Sequence, residues 1–385
     1  MRNILVSRYP TVSPRSLSAG GMVGKKEVKV TLFRSLALTA IAASLAFGED
    51  PVAALSRRID QGAVQLSFDA HYGYLPALLS ALHVPVESQI AVFSKTSAQS
   101  FRIEPANPRL LYFNDSVTVG WVNGGFIEIA AQDPSKGIRF YVMQQRPDER
   151  LTARPDCVQC HRSGTRLLSV FADPTGVPSG RIEVDHRTPF SDRWGGWFVT
   201  GASVPAGHAG NAVVVNSERK ELTPALDPKV ALTTTSDVVA LMVFGHQMYM
   251  ADLLAHPGNI QELVDALLYV DEAALPGPVR GSSGFAEKFA SQGPSDKLGR
   301  SLRQFDLKQR MMRYPCSYMI YSDAFDSLPN TTKEAIYRRL SSILSGELDN
   351  TPAGVAYRRL SHADREAVIG ILRDTKPDLP AWFGK

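Results

Sequence analysis

The tightest constraint on this 385-residue chain is the segment Cys157-Val158-Gln159-Cys160-His161, which holds two of its three cysteines. Two thiols three residues apart, followed at once by an imidazole, make the pattern C-x-x-C-H, which reads as c-type haem attachment. The spacing has a physical basis. One turn of backbone brings both thiols to the vinyl groups of one porphyrin, and the next residue sets its ring under the iron. Cys157 and Cys160 are therefore expected to carry one covalent haem c, with His161 as the proximal iron ligand.

Other uses of the pair fit less well. A redox C-x-x-C belongs in a thioredoxin-like βαβ setting, and the preceding Arg154-Pro155-Asp156 does not supply one. Zinc needs two further ligands, usually a second C-x-x-C or a histidine pair at the right spacing, and the sequence has neither. A disulfide across three residues is strained. Cys316, within RYPCSYMIYS, is then left over and is expected to be a free, buried thiol. Arg154, Arg162 and Arg166 flank the motif; as partners for haem propionates they compete with a reading as ordinary solvated charges.

The start of the chain agrees with covalent haem, which is attached on the far side of a membrane. Lys25, Lys26 and Lys29 precede an apolar run over residues 36–47, and Ala46 and Gly48 lead into Glu49 and Asp50. That is the layout of a secretory signal peptide over residues 1–48, with Met22 as an alternative initiator. The run is shorter than the roughly 20 residues a spanning helix needs, and no later segment is expected to cross a bilayer. The protein is thus expected to be periplasmic or secreted, with a mature chain starting near Glu49 and no stable membrane span. A net charge of +4, without a dense Lys/Arg block, gives no reason to expect nucleic acid as a partner.

Apolar residues make up 44% and charged residues 21%, enough for a packed core in one large region over 49–385. Its first part, about 60–145, reads as β-rich. Strands are expected over 113–122 and 126–130 around Asn123-Gly124-Gly125, and over 138–143, with one early helix over 75–82. The motif region, about 150–170, follows a charged loop, and short strands are expected over 181–185 and 196–199. From about 231 to 375 the pattern is helical, with helices expected over 236–254, 261–270, 302–312, 333–344 and 362–372. The expected fold class is α+β: a β-rich N-terminal part, a c-type haem-binding segment and a helical C-terminal part.

The second axial position of the iron separates an electron carrier from a ligand-binding or catalytic haem. Met242, His246, Tyr249 and Met250 fall on one face of the 236–254 helix, which makes His246 and Met242 candidate distal ligands. His208, in the glycine-containing loop PAGHAG, is a third candidate. Methionine–aromatic stripes and lone histidines are more often core residues.

Six stretches together, PVESQIAVFSKTS, LYFNDSVTVGWVNGG, the C-x-x-C-H, DHRTPFSDRWGGWFVTG, SDVVALMVFGHQ and RYPCSYMIYSDAFDSLP, resemble a family of large exported bacterial single-haem cytochrome-c-like proteins without an established enzymatic activity. The resemblance implies haem attachment at Cys157 and Cys160 and proximal ligation by His161. His208 and His246 lie in resembling stretches too, but the sequence departs from the pattern beside both, at Ala209 and Gly245, which puts a ligand role for side chains at those positions in doubt. The expected function is electron transfer with a redox partner protein or a small-molecule donor or acceptor. The alternatives are a haem-dependent oxidoreductase of the peroxidase type and a haem-stapled binding module.

Overall fold

The computed structural model describes residues 49–161 and 164–384; the expected signal segment and Arg162 lie outside these. The chain is α+β, as expected. Its centre is a seven-stranded antiparallel sheet. The strands are β1 (Ile90–Val92), β2 (Arg109–Phe113), β3 (Val117–Trp121), β4 (Ile127–Asp133), β5 (Gly137–Met143) and β6 (Thr152–Ala153), then β7 (Leu167–Ala172) and β8 (Pro178–Val184), which form a separate hairpin. Next come β9 (Trp197–Phe198), which joins the large sheet, and a second hairpin of β10 (Ala212–Val215) and β11 (Glu218–Glu221). The large sheet has the order β6-β5-β4-β3-β2-β1-β9.

The helices are α1 (Pro51–Asp60) and α2 (Leu75–Ala81) before the sheet, and α3 (Val238–Ala255), α4 (Ile260–Leu267), α5 (Phe285–Ala290), α6 (Asp323–Asp326), α7 (Asn330–Leu344) and α8 (His362–Thr375) after it. Because strand side chains alternate between faces, the sheet has two cores. Leu110, Tyr112, Val119 and Ile129 pack with α1 and α2, while Ile90, Leu111, Phe113 and Trp197 pack with the helical C-terminal part.

Helix α3 is the pivot of the second core. Asp237 caps it by accepting from the Val239 and Ala240 amides, and 14 of its 18 residues are buried. A helix apolar on all sides belongs inside a protein. Its length and mean hydropathy of 1.4 would suit a membrane span, contrary to the sequence expectation, but most of it is buried inside this fold. Phe244 packs on Phe113 with ring centres 4.9 Å apart, and Gln247 donates to the Asn114 carbonyl. At its far end Ala255 lies against Gly137, so α3 runs across the sheet from β2 to β5.

Two expectations fail for local reasons. The strand expected over 113–122 is broken, because the Asn114 carboxamide accepts from the Ser116 and Val117 amides and turns the chain between β2 and β3. The helix expected over 302–312 does not form. The Asp306 carboxylate instead accepts from the Lys308, Gln309 and Arg310 amides, and Phe305 bridges to Met312. Asn and Asp compete for backbone donors in this way.

Candidate functional site

The motif lies on a 3₁₀ turn, Pro155–Gln159, running into Cys160. Proline opens it with its φ already set, and Arg154 closes a two-point ion pair on Asp156 at 2.8 and 2.6 Å. The Cys160 and His161 amides both donate to the Cys157 carbonyl, at 3.1 and 3.2 Å. This is one helical turn, with both thiols on a short stretch of backbone. Both are free; Cys157 is half-buried and Cys160 exposed. Burial pushes the Cys157 thiol up, with Arg154 acting in the opposite sense.

Two anchors fix the turn. On the incoming side, the Arg154 amide donates to the Phe140 carbonyl of β5 at 2.8 Å. On the outgoing side, Asp252 of α3 accepts from the Thr165 amide and from Arg166 Nε, each at 3.0 Å. Gly164, at φ +106°, makes that approach feasible, since a Cβ there would fall 2.1 Å from the Asp252 carboxylate. Asp252 is the only Asp, Glu, Lys or Arg in α3, and a lone carboxylate in an apolar helix was the one sequence feature that could have pointed to this anchor.

The His161 ring stacks on Phe140, centres 4.9 Å apart and planes 23° from parallel. His161 itself stays exposed; partial desolvation lowers its pKa from the usual value, with Arg109 acting in the same sense and Glu128 and Asp252 against it. A neutral imidazole is the form that ligates a metal.

Beside His161, the face of the sheet that α3 crosses is incompletely covered. Thr118, Ala130, Ile138 and Phe140 on this face are only half-buried, whereas Leu111 and Phe113 farther along it are buried. The cross-strand partners Phe113, Thr118, Ala130 and Phe140 form one row across β2 to β5. The uncovered half of that row makes a flat, mostly uncharged floor, with the Arg109–Glu128 ion pair (2.7 Å) nearby. These residues fit a covalently held porphyrin: two free thiols on one turn, a neutral imidazole next to them, and a flat surface beside the ring. Among the described residues no three His, Cys, Asp or Glu side chains gather where they could hold a metal ion.

Among the described residues no hydrogen bond or ring contact joins the candidate distal ligands to His161; each has its own surroundings. His246 is fully buried. Its Nδ1 lies 3.1 Å from His186 Nδ1, its Nε2 lies 2.7 Å from Ser317 Oγ, and its ring stacks on Tyr269 at 4.3 Å. Met242 is buried in the core around α3. His208 lies beside Trp194 and Phe190, with a buried Nδ1 that has no hydrogen-bond partner among the described residues. Asp185 pairs with Arg187 at 2.7 Å, with Arg166 at 3.9 Å. Both described arginines flanking the motif are matched to carboxylates of the chain, Arg154 to Asp156 and Arg166 to Asp252. Cys316 is free and fully buried, as expected, and burial pushes its thiol up to about 12.

Sequence reasoning missed the His186–His246 pair, which joins residues 60 apart in the chain. It also missed the setting of Tyr249, whose ring centre lies 4.2 Å from the Arg166 guanidinium carbon and 4.3 Å from that of Arg187. Comparison with protein-family models, curated proteins and solved structures finds no match to this chain.

Proposed function

We propose that this protein is an exported c-type cytochrome that carries one haem on Cys157 and Cys160, with His161 as proximal ligand, and that it transfers electrons. We propose also that it belongs with the large single-haem cytochrome-c-like proteins its sequence resembles. The observation that carries the reading is the single helical turn presenting two free thiols and a neutral imidazole beside a half-covered sheet face. When bound, the haem would supply a one-electron couple. The chain's own part would be to hold it covalently, to seat the His161 ring against Phe140 and to tie both ends of the turn to β5 and α3.

Export fits the N-terminal pattern, and a mature chain beginning near Glu49 would retain Asp50. That residue caps α1 through the Val52 and Ala53 amides and accepts from the Tyr141 hydroxyl at 2.6 Å. The test is expression with a c-type maturation system. The haem should resist acid–acetone extraction, and Cys157→Ala combined with Cys160→Ala should abolish attachment. Haem that extracts from the wild-type protein would refute the proposal.

A further inference from the structure

The distal side of the site is where the fold adds most to the sequence. In α3 only Met248, Asp252, Leu253 and Ala255 escape full burial. Three of them, Met248, Asp252 and Ala255, follow one another at helical spacing and so form a single stripe. The contacts of the stripe show where it faces. Asp252 holds the chain just after the motif, and Ala255 lies beside Gly137 at the start of β5, where an added Cβ would come within 3.5 Å of it. One turn before Met248, Phe244 sits on Phe113, the buried end of the cross-strand row whose uncovered part adjoins His161. Met248 therefore belongs to the side of α3 that meets the sheet, yet it is half-buried. A residue between a helix and a sheet keeps exposed surface only where the two layers do not close on each other.

We propose that Met248 is the second axial ligand of the iron, approaching from α3 across the half-covered sheet face while His161 approaches from the motif turn. This rests on the reading of Cys157, Cys160 and His161 as a haem site. The chemistry of the alternatives supports the choice. His246 already has a partner for each ring nitrogen, and moving it would strand Ser317 and His186 in a buried region. Met242 and Met250, at 5% and 0% exposure, are enclosed by the core. A thioether has no hydrogen bond to give up and has three rotatable bonds, so Met248 can turn to a metal at small cost. The half-open position also gives the sulfur somewhere to turn. His–Met ligation raises the potential of a haem and suits electron transfer.

The experiment uses the full chain matured with haem. Acid–acetone extraction comes first, because extractable haem defeats the haem-site reading and leaves the ligand question without an object. With haem retained, the oxidised protein should be low-spin and show the weak red absorption band of sulfur ligation. That band should vanish in Met248→Leu and persist in Met242→Leu, Met250→Leu and His246→Gln. Met248→His should stay low-spin, lose the band and have a lower midpoint potential. In the reduced wild-type protein the assigned Met248 methyl proton resonance should be shifted far upfield, a reading that needs no variant to fold. A high-spin wild type, a low-spin wild type without the band, an unshifted Met248 methyl, or a band that survives Met248→Leu would each overturn the assignment.

Discussion

Acidification below neutrality should destabilise this fold well before its carboxylates titrate. His186 and His246 are 3% and 0% exposed and lie against each other, so the folded chain needs both rings neutral. Burial pulls His186 down to about 3, partly opposed by Asp185 and reinforced by Arg187, Arg193 and Arg359; burial and the neighbouring His186 hold His246 well below the usual range. In the unfolded chain both titrate near about 6.5. Between those limits the unfolded state binds more protons, so stability is full above about pH 6.5 and falls as the pH is lowered. Down to about pH 5 His186 withdraws about 2 kcal/mol, and His246 adds to the loss in the same direction, against a total stability of about 5–15 kcal/mol. Carboxylates with lowered pKa values, Asp185 among them, add to the loss only nearer about pH 4, while Glu272 and Asp265, raised by burial, work the other way. Urea unfolding at about pH 7, 6 and 5 measures the effect. His186→Phe should remove part of the fall between the two ends, because one titrating ring is gone while His246, and the less strongly lowered His161 and His208, still titrate. A stability that is flat from about pH 7 to 5, or a variant whose fall equals that of the wild type, would refute the argument.

Asp252→Ala removes the acceptor for the Thr165 amide and Arg166, which leaves the outgoing side of the motif without its anchor; about 2–3 kcal/mol of stability should go, with a smaller fraction of chains carrying covalent haem, as read by urea midpoint and by haem-to-protein ratio. Gly245→Ala should stabilise α3 by about 0.5–1 kcal/mol, since the added methyl would lie 3.6 Å from the Val184 carbonyl oxygen in ordinary contact; a lower melting temperature would show that α3 and the β8 strand pack too closely for it.

The sequence determined what could be read over a few residues. C-x-x-C-H names its own candidate chemistry because all three groups fall within one turn, and that turn forms in the structure. The sequence pattern placed helices over 236–254 and 362–372, and in the structure Asp237 and Ser361 cap α3 and α8 by accepting from their first free amides. The same local reasoning failed at Asn114 and Asp306, because periodicity does not register a side chain that captures backbone amides.

Only the tertiary structure decided what lies around the motif. The stripe Met242–His246–Tyr249–Met250 is real as a pattern, but a helix buried on nearly every side has no single functional face that periodicity could reveal. Which side stays open depends on where the sheet ends its coverage and on where residues 164–166 are tied, and both are contacts between segments more than 80 residues apart. Pairing His186 with His246, seating Phe140 against His161 and leaving Met248 half-covered are likewise results of packing. Packing depends on how distant segments meet in space, and no short stretch of sequence carries that information.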